Sequence, residues 1–393
     1  MAEASIPLAQ GLSRPAWAEI DLGAVTHNAA VLSGLVAPAQ LCAVVKAHGY
    51  GHGGPAVAKA ALAGGATRLA VALVDEGTEL RQHGVTGPIL LLSECGVDAI
   101  DAAMAADLTP TLYTHQAVEE FARAARAAPR PTPVHVKVDT GMHRVGALPP
   151  DVASLVKAVA DEPFLSFEGL WTHFPVADGE RPEDHAFTEG QLEQFERTSD
   201  ELAALGLVPA LRHAANTAGA VAFPASRYDL VRVGLGLYGC LPGPAVRAAF
   251  DAAADHPLRP AMSLKANVVS VRTLEAGERP SYGRLRPLPA RSVVATVPIG
   301  YADGVPRQLF SSGYEVLIGG RRRPLAGMVT MDQIVVDCGD DPSVRPGDEV
   351  VLLGTQGDQE ITADDWAEQL GTISYEVLCG VGARMPRRVV GEA

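Results

Sequence analysis

The chain has 393 residues, enough for two domains, and its 47% hydrophobic and 20% charged composition fits a protein that buries a sizeable core. A formal net charge of −14 argues against a phosphate-backbone binder, whose footprint would be basic. No stretch reaches the roughly 18 uninterrupted apolar residues of a membrane span, and the opening MAEASIPLAQ lacks the basic-then-apolar pattern of a secretory signal.

In chain order, eight short apolar runs alternate with Ala-rich helical stretches. They are LCAVVK (41–46), LAVALV (69–74), ILLLS (89–93), TPTLY (109–113), VHVKVD (134–139), FEGLWTH (167–173), ALRHA (210–214) and YDLVRVG (228–234). Strands alternating with helices imply βαβ units and a parallel sheet. Eight units point to a closed (β/α)8 TIM barrel over 14–245. Beyond it the texture changes. AVRAAFDAAADHPLRP reads as a connecting segment, and β-branched runs broken by Gly, Pro and Asp follow. Gly319-Gly320 reads as a hairpin turn, and TADDWAEQL as one helix with Thr362 as its N-cap. We assign 246–393 to a mainly β C-terminal domain, with the segment 1–13 a candidate to join it.

Cys42, Cys95, Cys240, Cys338 and Cys379 are odd in number and scattered, which indicates neither a disulfide framework nor a zinc site and points to a reducing cytoplasm. All but Cys95 sit in apolar, strand-like contexts and read as core fillers. The only dense basic cluster, 321–323, reads as a solvated turn.

In such a barrel the active site lies at the C-terminal ends of the strands. Lys46 ends the first run there, and Lys137 lies in the fifth with Arg144 beyond it. His173 ends the sixth, Asn216 and Thr217 follow the seventh, and Arg232 and Gly234 belong to the eighth. A lysine at the end of a buried strand is costly without a partner or a task, and forming a Schiff base is one. The small loops at 216–219 and 234–236 offer backbone N–H groups where these barrels cradle phosphate. Together these features suggest pyridoxal phosphate. A bland reading stands beside each residue. Lys46 could simply reach solvent, Lys137 could pair with Asp139, and Arg232 with Asp229. His48 and His52 have the spacing of a helical metal pair, but three glycines oppose a helix there, and we expect no metal.

AVVKAHGYGHG (43–53) resembles the pyridoxal-phosphate attachment signature of the alanine racemase family. VKVDTGMHRVG, WTHF, RHAANTAG, VRVGLGLYG, PSYGR, GYADG, MVTMDQ and ISYEVLCG follow in the family's order, from WAEIDL at 17 to about 385. The resemblance implies an isomerase that interconverts L- and D-alanine by two-base α-proton transfer on pyridoxal 5'-phosphate, supplying D-alanine for peptidoglycan. Lys46 would hold the cofactor and act on the D face. Tyr282 of the partner subunit would act on the L face, making the enzyme a homodimer with shared sites. Tyr50, Asn216, Thr217, Gly234, Leu235 and Tyr375 would bind the cofactor, mostly at its phosphate, and Arg232 would face the pyridine nitrogen. Arg144 would serve the phenolate oxygen and the substrate carboxylate, oriented by a carbamylated Lys137. His173 would link Arg232 to Tyr282. Met331 and Asp332 of the partner subunit would line the carboxylate end, with Tyr301 at the entrance.

His48 departs from the smaller polar residue expected two positions after the lysine, Thr217 and Thr330 stand where Ser and Cys are common, and Trp171 is bulkier than usual. A racemase for serine or a wider range of amino acids, a barrel decarboxylase, and a non-catalytic pyridoxal-phosphate carrier are the alternatives. PSYGR and the β domain that carries it oppose the last two.

Overall fold

The computed structural model describes residues 14–391. The segment 1–13 lies outside them. Among the described residues the chain forms two compact units, Gly23–Arg259 and residues 14–22 together with 260–391.

In the first unit the eight apolar runs are eight parallel strands: Gln40–Val44, Arg68–Val71, Ile89–Leu91, Thr111–Leu112, Thr132–Lys137, Leu165–Trp171, Leu211–His213 and Leu230–Val233. Counted in that order they pair third–second–first–eighth and fourth–fifth–sixth–seventh. A parallel bridge between Leu90 and Thr109 joins the third strand to the fourth. The N–H groups of Asp229 and Arg232 donate to the carbonyls of Arg212 (3.1 Å) and Ala215 (3.0 Å) and close the seventh on the eighth. The result is the expected (β/α)8 barrel. Parallel neighbours need crossovers, and helices supply them. His115–Ala125 shows why such a stretch is a helix. Thr114 accepts from the Ala117 N–H at 3.2 Å as N-cap, and Ala117, Val118, Phe121, Ala122 and Ala125 form one buried stripe. The stretch read as a connector begins instead with a helix, Pro244–Ala253. Proline opens it, and Val246 and Phe250, one turn apart, bury its inner face within the first unit.

In the second unit a seven-stranded sheet runs Arg321–Pro324, Glu315–Ile318, Glu349–Gln356, Met262–Asn267, Ala16–Asp21 and Arg387–Val390, with Gln359–Ile361 attached to Glu349–Gln356. A three-stranded sheet, Ser270–Leu274, Ser292–Val297 and Ile334–Asp337, lies in the same unit. Gly319 and Gly320 have φ of 62° and 71° and join two paired strands as a two-residue turn, which is why both are glycine. Thr362 caps Ala363–Leu370 as expected. Two expectations are corrected here. Arg321–Arg323 are an edge strand rather than a turn, and each arginine faces an acid, Asp341 for Arg321 and Arg323 and Glu315 for Arg322. Cys379 is exposed at the end of helix Ser374–Cys379, whereas Cys42, Cys240 and Cys338 are buried fillers.

Candidate active site

Lys46 stands two residues beyond the first barrel strand and opens an uncommon backbone turn. Ala47, His48, Gly49 and Tyr50 all have φ between 52° and 62°. Three are not glycine, and each costs about 1–2 kcal/mol in the left-handed region. This turn, not a right-handed helix, separates His48 from His52, so the two imidazoles do not share a helix face. Among the described residues no cluster of His, Cys, Asp or Glu could hold a metal ion.

The turn ends on Tyr50, which is buried and stacks on Tyr238. A Cβ on Gly234 would lie 2.3 Å from the Tyr50 Oη, so only glycine lets the phenol approach this backbone. The Gly234 N–H donates to Thr217 Oγ1 at 3.2 Å. Asn216 caps helix Thr217–Ala222 by accepting from the Gly219 N–H, and its amide donates to the Phe174 carbonyl. Leu235 opens the following 3-10 turn and is buried. Tyr50, Asn216, Thr217, Gly234 and Leu235 are therefore gathered at one end of the barrel.

Arg232 is only 3% exposed. It does not pair with Asp229, whose carboxylate accepts from the Arg212 N–H at 2.7 Å. Its Nη1 donates to His213 Nδ1 at 2.8 Å, and its Nη2 to the carbonyls of Thr172 (2.8 Å) and Ala214 (2.9 Å) and to His173 Nδ1 (3.2 Å). Burial pushes the guanidinium down to about 9, which leaves it charged at neutral pH. Among the described residues its Nε–H has no protein acceptor. A donor-only group whose Nε–H is unused suits an aromatic nitrogen that brings a lone pair.

These contacts dictate the histidine tautomers. Arginine can only donate, so His213 Nδ1 must accept and its Nε2 carries the proton. That Nε2 lies 2.8 Å from His135 Nδ1, so His135 in turn carries its proton on Nε2, 2.9 Å from Glu168 Oε2. Arg68 closes the chain with two bonds to the Glu168 carboxylate, 2.9 and 3.1 Å. On the other side His173 Nδ1 also accepts, which leaves its Nε2–H to donate outward. Burial, reinforced by Arg232, holds His173 and His213 well below the usual histidine range. Burial lowers His135 too, against the pull of Glu168. Burial alone would raise Glu168, but hydrogen bonds from His135 and Arg68 hold it at about 2. The imidazoles are neutral and the carboxylate is charged.

Lys137 ends the fifth strand inside the same polar interior, 2% exposed. Burial, then Arg232 and Arg144, push its amine down to about 8, with Asp139 opposing and Lys46 adding. Lys137 and Asp139 form no ion pair. Asp139 instead accepts from the N–H groups of Gly141 and His143, both at 3.0 Å, and shapes the loop that carries the exposed Arg144. The Trp171 ring holds the Lys137 Nζ at 4.6 Å and the Arg232 Cζ at 4.5 Å from its centroid. Both are within cation–π range of the indole.

In the second unit three loops are hydrogen-bonded together. Ser281 donates to the Met328 carbonyl at 2.7 Å, and the N–H groups of Tyr301 and Ala302 donate to the carbonyls of Thr330 (2.9 Å) and Met331 (3.1 Å). They present Tyr282 (74% exposed), Tyr301 (43%) and Met331 (51%) on their outer side. Ser281, at φ 68°, re-aims the chain just before Tyr282. Asp332 pairs with Arg384, which also reaches the fully buried Asp303. Tyr375 lies half-buried on helix Ser374–Cys379.

The sequence reading missed His135, His213, Glu168, Arg68 and Glu76. One signal for Glu168 was present. Gly169 inside a strand marks a bulge. The pairing register slips there, and a Cβ on Gly169 would lie 2.4 Å from the His135 ring.

The model of the alanine racemase N-terminal domain matches residues 20–242, and that of the C-terminal domain matches 261–389. The alanine racemase of Symbiobacterium thermophilum is 44% identical over 96% of this chain and 98% of its own length. That of Frankia casuarinae is 43% identical over 95% and 96%. The crystal structure of alanine racemase from the D-cycloserine-producing Streptomyces lavendulae superposes with a TM-score of 0.88 at 38% identity, covering 97% of this chain and 98% of that one. With a racemase barrel, a racemase β domain and near-complete coverage, the chain belongs to the alanine racemase family.

Proposed function

We propose that this enzyme interconverts L- and D-alanine with two bases, Lys46 on the D face and Tyr282 of the partner subunit on the L face, and so supplies D-alanine for peptidoglycan. The family is pyridoxal-phosphate dependent, and the residues here fit that group. The observation that carries the reading is the buried Arg232. It is a cation with no carboxylate partner and an Nε–H without a protein acceptor, set among residues from the same strand ends as Lys46 and the Gly234–Tyr50 approach. When bound, pyridoxal phosphate supplies a conjugated electron-withdrawing system that makes the α-proton of the attached amino acid removable.

The chain's own residues do the rest. Tyr50, Asn216, Thr217, Gly234, Leu235 and Tyr375 hold the phosphate end, and Arg232 offers its N–H to the ring nitrogen. Lys46 Nζ takes or returns a proton on one side of the α-carbon, and Tyr282 Oη of the partner subunit does so on the other. Two bases on opposite faces avoid the swing a single base would need. The outward Nε2–H of His173 serves as a donor for the Tyr282 phenolate. Arg144 receives the substrate carboxylate, with Met331 and Asp332 of the partner subunit beside it and Tyr301 at the entrance. Lys137 becomes a carbamate. Its neutral amine is accessible near pH 8, and an added negative charge offsets the cations of Lys46, Arg144 and Arg232.

A homodimer follows from this division of labour, and the exposed Tyr282, Tyr301 and Met331 support it. Five cysteines without a disulfide among the described residues favour the cytoplasm. No described helix is long and apolar enough to cross a membrane. The test is incubation with pyridoxal phosphate and L-alanine in D2O. D-alanine carrying α-deuterium is expected. Deuterium uptake without D-alanine would remove Tyr282 from its role, and neither signal would reject alanine as substrate.

A further inference from the structure

Lys46 and Tyr50 are the two ends of the left-handed turn, so whatever holds the turn sets both. Its internal bonds, Gly49 N–H to the Val45 carbonyl (2.9 Å), Gly51 to Ala47 (2.9 Å) and Gly53 to His48 (2.7 Å), close it on itself. A side chain from the next barrel loop ties it down. Glu76 lies in the first turn of helix Val74–Gln82. Its Oε2 accepts from the N–H groups of Ala72 (2.8 Å) and Leu73 (3.1 Å), the ordinary capping role of a glutamate there. Its Oε1 accepts from the N–H of Ala47 at 2.6 Å. Ala47 follows Lys46 directly and is the first left-handed residue. Capping accounts for one oxygen, and the Lys46 turn accounts for the other.

We propose that Glu76 is a positioning residue for cofactor capture. Its Oε1 holds the left-handed turn 47–50 and thereby places Lys46 at one end and Tyr50 at the other for pyridoxal phosphate. The inference rests on Lys46 as the attachment lysine. The short distance and charged acceptor make this a strong hydrogen bond. Residues in the left-handed region persist only where their surroundings over-determine them, so without this bond the turn relaxes.

Glu76→Gln separates the two roles. A glutamine still caps, but its amide nitrogen then faces the Ala47 N–H, donor against donor. Hydrogen–deuterium exchange of the apoenzyme at single-residue resolution should show a protected Ala47 amide in the wild type. In Glu76→Gln, exchange across 47–51 should be about tenfold faster or more, and pyridoxal phosphate binding, titrated by absorbance, weaker by a similar factor. Exchange in helix Val74–Gln82 should be little changed. Unchanged exchange and cofactor affinity in Glu76→Gln overturns the proposal. So does a wild-type Ala47 amide that exchanges at the free-peptide rate, a measurement that needs no variant. Borohydride reduction of the wild-type holoenzyme identifies the attachment lysine separately. Label on another lysine removes the premise about Lys46, whereas label on Lys46 with unchanged exchange removes Glu76 alone.

Discussion

At pH 7.5 an ordinary lysine is neutral to roughly 0.1%, but an amine at about 8, as burial and three neighbouring cations make Lys137, is neutral to roughly a quarter. That is about two hundred times more free amine, the only form that adds to carbon dioxide. In the addition the nitrogen of the free amine attacks the carbon and loses one proton, so the side chain goes from neutral to −1, and from +1 to −1 with two protons released when counted from the ammonium form, beside Arg144, Arg232 and Lys46. Protein equilibrated with 13C-bicarbonate at pH 8 should give a single carbamate carbon resonance per chain that Lys137→Met lacks. Below about pH 7 the rate of labelling should fall about tenfold per pH unit as the amine protonates. The same burial predicts a stability effect of opposite sense to the functional one. The folded amine sits below its unfolded value, so the protonated form is penalised by about 3 kcal/mol below pH 8, and the penalty fades as pH rises from about 8 to 10.5. Lys137→Met should therefore stabilise carbamate-free protein by about that much in urea unfolding at pH 7, and by little near pH 10. A wild type without label at pH 8, or a Lys137→Met variant no more stable at pH 7, would refute the reasoning.

Glu168→Gln removes a carboxylate held at about 2, whose stabilising contribution is complete above its unfolded value near 4.5 and lost as pH falls toward 2. The variant should lose about 2–3 kcal/mol at pH 7 in urea unfolding and converge on the wild type near pH 2; a constant difference across that window contradicts the assignment. Tyr282→Phe removes only a hydroxyl, so unfolding should move by about 1 kcal/mol or less, while D-alanine formation from L-alanine falls by about 10²–10⁴. The α-proton of D-alanine should still exchange in D2O through Lys46, and loss of both signals would mean that Tyr282 does not act on one face alone. Gly234→Ala drives a methyl into the Tyr50 hydroxyl, so a stability loss of about 1–3 kcal/mol is expected with weaker cofactor binding by absorbance titration; wild-type affinity would show that the close approach is dispensable.

Much of the fold was legible because its signals are local. Eight apolar runs alternating with helical stretches gave eight strands, Gly319-Gly320 and Thr362 reported their turn and cap, and Lys46, Lys137, His173 and Arg232 all fell at barrel strand ends. Local signals failed where context overrode them. Three arginines in a row read as a solvated turn; Arg321 and Arg322 are indeed exposed, yet all three lie in a strand because their backbone pairs with Glu315–Ile318. The helix Pro244–Ala253 hid its two buried positions in an Ala-rich connector.

The sequence alone determined the period of each element and the order of the motifs, because both depend on residues a few positions apart. Only the tertiary structure decided who meets whom. His135 and His213 are 78 residues apart, Arg68 and Glu168 100, and Arg232 and His173 59. Barrel closure brings them into one hydrogen-bonded chain, and the donor-only chemistry of Arg232 then fixes every imidazole proton along it. Ala47 and Glu76 meet for the same reason: consecutive βα loops of a parallel barrel open on one face, so a carboxylate on one loop can hold the backbone of the loop before it.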